Sequence, residues 1–243
     1  RCNPQIKFGV LLQKAKKVGV PFDYFATGHY ARVEYDQDRK RYLLKRARDK
    51  KQDQSYFLYG LNQDQLRMTL FPLGDKTKQQ VRKLAGEFNL NVQSKGDSQD
   101  FFCANYVHLL GVEPNPGPIL DTEGNRLGTH QGIWRYTVGQ RRGIGISAQK
   151  PLYVIDIDRE HNAIIVGEKE KLYKRELTAD HLNWIPFDSL VEPREAMVKI
   201  RYRHKGGKAT ITPLEQTKVL VRFQEPQRAI APGQAVVFYD NDT

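Results

Sequence analysis

Cys2 and Cys103 are the two cysteines of a 243-residue chain, and each sits in a cluster of polar and aromatic residues. A thiolate is a strong nucleophile near neutral pH, so a reactive cysteine suits nucleophilic chemistry. No Cys-x-x-Cys zinc pair is present, and a secreted scaffold of this size would carry more cysteines. A reducing, cytoplasmic setting is therefore expected. There a cysteine is either a buried small hydrophobe or a reactive thiol, and its neighbours decide which.

Those neighbours form five segments in one order: Cys2-Asn3-Pro4-Gln5-Ile6-Lys7-Phe8, Ala26-Thr27-Gly28-His29-Tyr30, Asp53-Gln54-Ser55-Tyr56-Phe57-Leu58, Asp97-Ser98-Gln99-Asp100-Phe101-Phe102-Cys103, and His130-Gln131-Gly132 followed by Tyr136–Gly143. Singly each is weak. Thr-Gly-His after a strand is a tight turn in many proteins, and a histidine there is more often structural than functional.

The elements that must position them follow from periodicity. Phe8, Leu11, Leu12, Ala15 and Val18 recur at helical spacing over residues 7–18, with Gly19 as a stop. A short strand is expected over residues 22–27, then a hairpin of Arg32–Glu34 with Tyr42–Lys45, then a helix over residues 78–88 capped by Thr77 or Asp75. Helix, strand and glycine turn together read as α/β. Near Ser94 glycine and proline rise and short strands take over, with a hairpin of residues 152–157 and 163–167. From Lys174 onward, alternating runs at 196–203, 208–212, 218–223 and 235–239 suggest a small closed β-barrel. Domains are expected at residues 1–93, 94–173 and 174–243.

The balance of 39 basic to 28 acidic residues gives a net charge of +11. Such an excess favours a polyanionic partner. Lys199, Arg201 and Arg203 would share one face of a strand, with Tyr202 beside them, which suits RNA phosphates and bases. The basic tract 39–51 is explained nearly as well by a solvated loop. No apolar run approaches the ~18–20 residues a bilayer span needs, so no membrane partner is expected.

Together and in order, the five segments resemble the tRNA-specific 2-thiouridylases, and the resemblance continues through Arg201-Tyr202-Arg203 and Pro232-Gly233-Gln234. It implies an N-terminal α/β ATP-pyrophosphatase domain, a small central α+β domain and a C-terminal β-barrel. It implies ATP-dependent adenylation of the wobble uridine at the oxygen on carbon 2, then sulfur delivery from a cysteine persulfide loaded by a sulfur-relay donor protein. Cys103 is expected to carry the persulfide and Cys2 to release the sulfur through a transient disulfide. By the same resemblance Gly28 lies on the adenine side of ATP, and His29, Asp53, Gln54, Arg201, Tyr202 and Gln234 touch tRNA. An iron–sulfur cluster is also raised, though two cysteines do not saturate one.

The chain departs from the pattern in three places. Phe102 occupies the usual cysteine position, with Cys103 one residue later. In an extended segment that slip turns the side chain to the opposite face, so either a bulge restores it or sulfur is handled differently. A non-catalytic tRNA-binding paralogue is the alternative this register supports. Gln52 stands where lysine is usual, with Lys51 beside it. No Ser-Gly-Gly-x-Asp-Ser loop for ATP phosphates occurs, and Arg1 is no natural start. Both ends read as truncations, and these residues alone are expected neither to bind ATP tightly nor to thiolate tRNA.

Overall fold

The computed structural model describes residues 2–90, 113–215 and 217–243. The Asp97–Cys103 segment, and with it the register of Cys103, lies outside the described residues. The chain divides into two compact units, one of Arg1–Gly96, Thr178–Val221 and Val236–Thr243, the other of Asp97–Leu177 and Arg222–Ala235.

In the first unit the opening helix begins at Cys2 rather than at residue 7. Cys2–Val10 winds as a π-helix and continues as α1 (Leu11–Lys17). Wide π turns are rare, and a fastening from a neighbouring element helps hold this one. Here the Gln65 side-chain amide supplies it, donating to the carbonyls of Pro4 at 2.9 Å and Phe8 at 3.0 Å. Local periodicity holds no trace of so distant a partner. The strand expected over residues 22–27 shrinks to β1 (Phe25–Ala26).

The hairpin forms as expected, from β2 (Ala31–Asp36) and β3 (Arg41–Arg46) in antiparallel register, Arg32 opposite Lys45. α2 (Gln63–Arg67) follows, and then β4 (Thr69–Leu70). β4 pairs in parallel with β1, and its two residues limit that strand's length. Phe8, Ala31, Leu44, Leu58, Leu61 and Leu66 pack into one core. Full burial of each phenylalanine or leucine among them stabilises the fold by roughly 1.5–3 kcal/mol.

α3 (Lys78–Glu87) is capped by Thr77, whose hydroxyl accepts from the Gln80 amide while the Gln80 side chain accepts from the Thr77 amide. This reciprocal box leaves Asp75 out of the cap. Thr77→Ala is expected to cost about 1 kcal/mol. A thermal melt checks it, with a midpoint lowered by about 2–4 °C.

The second unit holds β5 (Gly117–Leu120), β6 (Arg126–His130), β7 (Tyr153–Asp158) and β8 (Ala163–Gly167), in the order β6-β5-β8-β7. β7 and β8 are the expected hairpin, turned by Asn162 at φ 48°. Ile119, Ile144, Val154, Ile164 and Val166 form its core. A side chain at Gly117 would press within 2.0 Å of the Asn162 carbonyl, so only glycine lets β5 approach that turn.

The remaining strands are β9 (Tyr173–Asp180), β10 (Arg194–Lys199), β11 (Gly207–Glu215), β12 (Lys218–Arg228) and β13 (Val237–Tyr239). Alternation buries Val219, Val221 and Phe223 along β12, as period-two patterning requires. These strands correct the expectation of a closed barrel. Their order is β13-β10-β11-β12-β9, and among the described residues no pairing joins β9 to β13. Strand alternation reports which face is buried, and says nothing about whether the edges meet.

Candidate active site

Cys2 is exposed, at the start of the π-helical run. The residues after it are fastened from outside. The Asn3 amide donates to the Phe57 carbonyl at 3.1 Å, and Pro4 lies against Gly60, where an added Cβ would come within 3.1 Å of its ring. Phe8 is 2% exposed and meets Phe25 edge-on at 5.5 Å and Phe71 at 6.2 Å. The first segment thus buries its aromatic end and leaves the thiol end in solvent.

The second segment packs on that aromatic wall. The His29 ring lies 6.0 Å from both Phe8 and Phe71, and its Nδ1 shares a 2.8 Å hydrogen bond with the Thr27 hydroxyl. Burial, helped by the Lys7 charge, lowers the His29 pKa to about 4. At neutral pH the imidazole is uncharged, so it serves as a hydrogen-bonding group and not as a phosphate-pairing cation.

A pH dependence follows. The unfolded chain binds this proton near the ordinary histidine value, while the folded chain resists it until about pH 4. Stability is therefore expected to fall as pH drops from about 6.5 toward about 4. Urea melts across that range should show the slope, and His29→Gln should flatten it.

Gly28 is exposed, and a Cβ there would meet only Leu73 Cδ1, at 3.8 Å. Nothing in the fold demands glycine at this position. Bare backbone here leaves room for a flat group to approach closely.

The third segment is clamped to the second: the Tyr30 amide donates to the Gln54 side-chain oxygen at 2.9 Å, and the Gln54 amide donates to the Tyr30 carbonyl at 2.8 Å. Asp53 is 4% exposed. Its carboxylate accepts from Arg46 Nε (3.1 Å), the Ala47 amide (3.1 Å), and the Ser55 amide (3.3 Å) and hydroxyl (3.1 Å). Every one of these partners is the protein's own, which makes Asp53 an organiser of its surroundings.

Tyr239 of β13 completes the group, its hydroxyl 3.1 Å from Ser55 Oγ and its ring under Arg46 at 5.1 Å. Burial pushes the Tyr239 phenol up to about 12, so it stays protonated. Lys199 lies 6.0 Å from the same ring, its pKa lowered by burial and by Arg46. This polar group joins the β2–β3 hairpin to the late strands within one unit.

The expected cationic strand face is corrected here. β10 ends at Lys199, Ile200 is buried, and Arg201 and Tyr202 lie in a turn closed by the His204 amide on the Arg201 carbonyl at 3.0 Å. Ile200 continues the inward row of Val198, and the strand stops before Arg201 because its pairing ends at Lys199, opposite Val237. The turn carries the Tyr202 ring to 4.4 Å from Phe57. The tract 39–51 is no loop either, since it contains β3. Its Arg41, Lys45 and Arg46 pair with Asp188, Glu34 and Asp53.

The first three segments and Arg201-Tyr202 therefore meet in one unit. The fifth segment and Gln234 belong to the other. There His130 is 1% exposed, bound to the Asn162 carbonyl at 2.9 Å and accepting from the Gly132 amide at 3.0 Å, which is a structural histidine. Gln234 is exposed in the turn after Pro232-Gly233.

Among the described residues, no group of three His, Cys, Asp or Glu side chains is arranged to hold a metal. No helix among the described residues is long and apolar enough to cross a membrane.

Sequence reasoning passed over Gln65, Arg46, Ser55 and Tyr239. A signal existed for the first: Asn62-x-x-Gln65 is a capping box, and it forms, with Asn62 accepting from the Gln65 amide at 2.9 Å. For the others no local pattern exists.

Three family models match this architecture in succession: a tRNA methyl transferase HUP domain over residues 1–104, a tRNA methyl transferase PRC-barrel domain over 108–168, and an aminomethyltransferase beta-barrel domain over 174–243. The chain belongs to the family of the tRNA-specific 2-thiouridylases. It is 50% identical to the tRNA-specific 2-thiouridylase MnmA 1 of Caldanaerobacter subterraneus subsp. tengcongensis, over 99% of this chain and 68% of that protein. The MnmA proteins of Acetivibrio thermocellus (48%) and Caldicellulosiruptor saccharolyticus (49%) match over the same shares. The model descriptions speak of methyl transfer and the relatives of thiolation. Identity at this level along 99% of the chain favours the relatives.

Proposed function

We propose that this chain serves ATP-dependent transfer of sulfur to carbon 2 of the wobble uridine in tRNA. The observation that carries the reading is Cys2: its thiol is exposed while the next two residues, Asn3 and Pro4, are tied to Phe57, Gly60 and Gln65. An exposed thiol on a braced backbone suits a nucleophile whose partner is brought to it. The domain division proposed at residues 1–93, 94–173 and 174–243 is supported by the three successive family matches.

The uracil carbon-2 oxygen takes the adenylyl group of ATP and pyrophosphate leaves, which turns a poor leaving group into a good one. The terminal sulfur of a persulfide on Cys103 bonds to carbon 2, and the carbon–oxygen bond breaks with its electron pair going to AMP. The Cys2 thiolate attacks Cys103 Sγ, so the sulfur–sulfur bond breaks toward the base and a Cys2–Cys103 disulfide forms. A dithiol reductant then restores both thiols. Neutral His29 offers the incoming RNA a hydrogen-bonding nitrogen, Gly28 accepts the adenine, and Arg201, Tyr202, Gln54 and Gln234 contact the tRNA while Asp53 holds their surroundings. The non-catalytic alternative is not favoured, given near 50% identity to proteins named as thiouridylases.

The test is direct. The full-length protein, incubated with unmodified tRNA, ATP and a persulfide donor, is expected to yield 2-thiouridine by mass spectrometry of the digested tRNA, and none without ATP. Sulfur incorporation that ignores ATP, or none in the complete mixture, would overturn the reading.

A further inference from the structure

The 3-10 turn Ser55–Leu58 carries an anomaly. Ser55, Tyr56 and Leu58 are 2%, 6% and 0% exposed, whereas Phe57 is 43% exposed. The solvent-facing position of a short polar-flanked turn has no packing need for phenylalanine, and water disfavours one there. A single exposed ring would call for no explanation. This one has company. Tyr202 lies 4.4 Å away at 39°, Tyr56 meets it edge-on at 5.6 Å, and Tyr59 is 37% exposed. The cluster joins two segments separated widely in sequence, at the turn that also carries Arg201.

We infer that Phe57, backed by Tyr202, is a stacking platform for an unpaired base of the RNA strand presented to Cys2. The inference rests on the tRNA reading above and deepens it.

Three observations select a nucleobase as the occupant. The first is size: two rings match one or two bases, and fall far short of the ~800 Å² per partner that a stable protein interface buries. The second is charge: the chain carries +11, and the Arg201 charge reaches the neighbouring Tyr56 phenol, so the surroundings suit a polyanion. The third is position. The Phe57 carbonyl accepts the Asn3 side chain, and Asn3 adjoins the exposed thiol. A base drawn out of an anticodon loop loses its stacking neighbours, and an aromatic face at the destination restores that contact without regard to base identity. Specificity for uridine then falls to other groups, and Phe57 contributes affinity and placement.

The experiment compares the full-length protein with its Phe57→Ala and Phe57→Trp variants, using two RNA hairpins. One has unpaired uridines in its loop, and the other has the same stem with abasic loop positions. Wild type is expected to bind the uridine hairpin about tenfold more tightly than the abasic one, the worth of one base–aromatic stack. Phe57→Ala should bind the uridine hairpin as weakly as the abasic one, with binding of the abasic hairpin and the thermal midpoint unchanged. Phe57→Trp should keep the preference. A preference that survives Phe57→Ala overturns the platform, as does equal loss on both hairpins, which marks a structural role. Wild type that binds the two hairpins alike sinks the platform and leaves the tRNA reading standing. Wild type that binds neither hairpin takes down both.

Discussion

Cys2→Ser in the full-length protein is expected to lower 2-thiouridine formation by at least about three orders of magnitude, since a serine hydroxyl at neutral pH has neither the ionisation nor the polarisability of a thiolate. The thermal midpoint should stay put, because Cys2 is exposed and surface substitutions usually fall within about 0.5 kcal/mol. Affinity for tRNA should also hold, since the bracing runs through Asn3, Pro4 and Phe8 and not through the thiol. The split between lost chemistry and kept binding is the diagnostic part. Mass spectrometry of tRNA from cells carrying only the variant provides the first reading, and a binding assay with a melt provides the others. Thiolation within about tenfold of wild type would remove Cys2 from the reaction. Cys103→Ser should lower 2-thiouridine formation as far, because the disulfide step proposed above consumes both sulfurs.

Asp53→Ala should be the most destabilising single change in the first unit's polar group. Its side chain is 2% exposed against 26% for Arg46, so the alanine variant leaves a half-buried guanidinium without its carboxylate. It also strips the Ala47 and Ser55 amides and the Ser55 hydroxyl of their acceptor. Breaking such a pair costs about 3–5 kcal/mol, since the surviving partners keep their desolvation cost and lose the compensation. For a chain of this size that corresponds to a thermal midpoint lower by roughly 10 °C. The disturbance should reach β13 and β10, where Tyr239 shares a hydrogen bond with Ser55 and Lys199 feels the Asp53 charge. The double variant Asp53→Ala with Arg46→Ala should recover part of the loss, because it removes the orphaned cation. Urea unfolding of the three proteins measures this. A cost for Asp53→Ala below about 1 kcal/mol would show that water reaches the carboxylate and that the group is not a buried organiser.

The elements near the site are legible in the sequence where the determinants are local. Thr77-x-x-Gln80 caps its helix, and alternation with a polar turn gives the β2–β3 hairpin. Where the determinant is remote, local reading erred in ways that make physical sense. It began the first helix at residue 7 because the fastening of the earlier turns comes from Gln65, far along the chain. It carried a strand through Arg203 because the point where pairing stops, at Lys199 opposite Val237, depends on a partner strand elsewhere in the chain.

The amino-acid sequence by itself determined which residues can do chemistry: the thiols, the glycine that admits a base, the histidine, the cations, and their order along the chain. Only the tertiary structure decided their states. It leaves Cys2 in water, sets His29 between two phenylalanines where it stays neutral, encloses Asp53 among its own donors, and brings Tyr202 onto Phe57. The reason is that side-chain identity is covalent and local, whereas desolvation and hydrogen-bond partnership are set by groups that meet only when distant segments pack together.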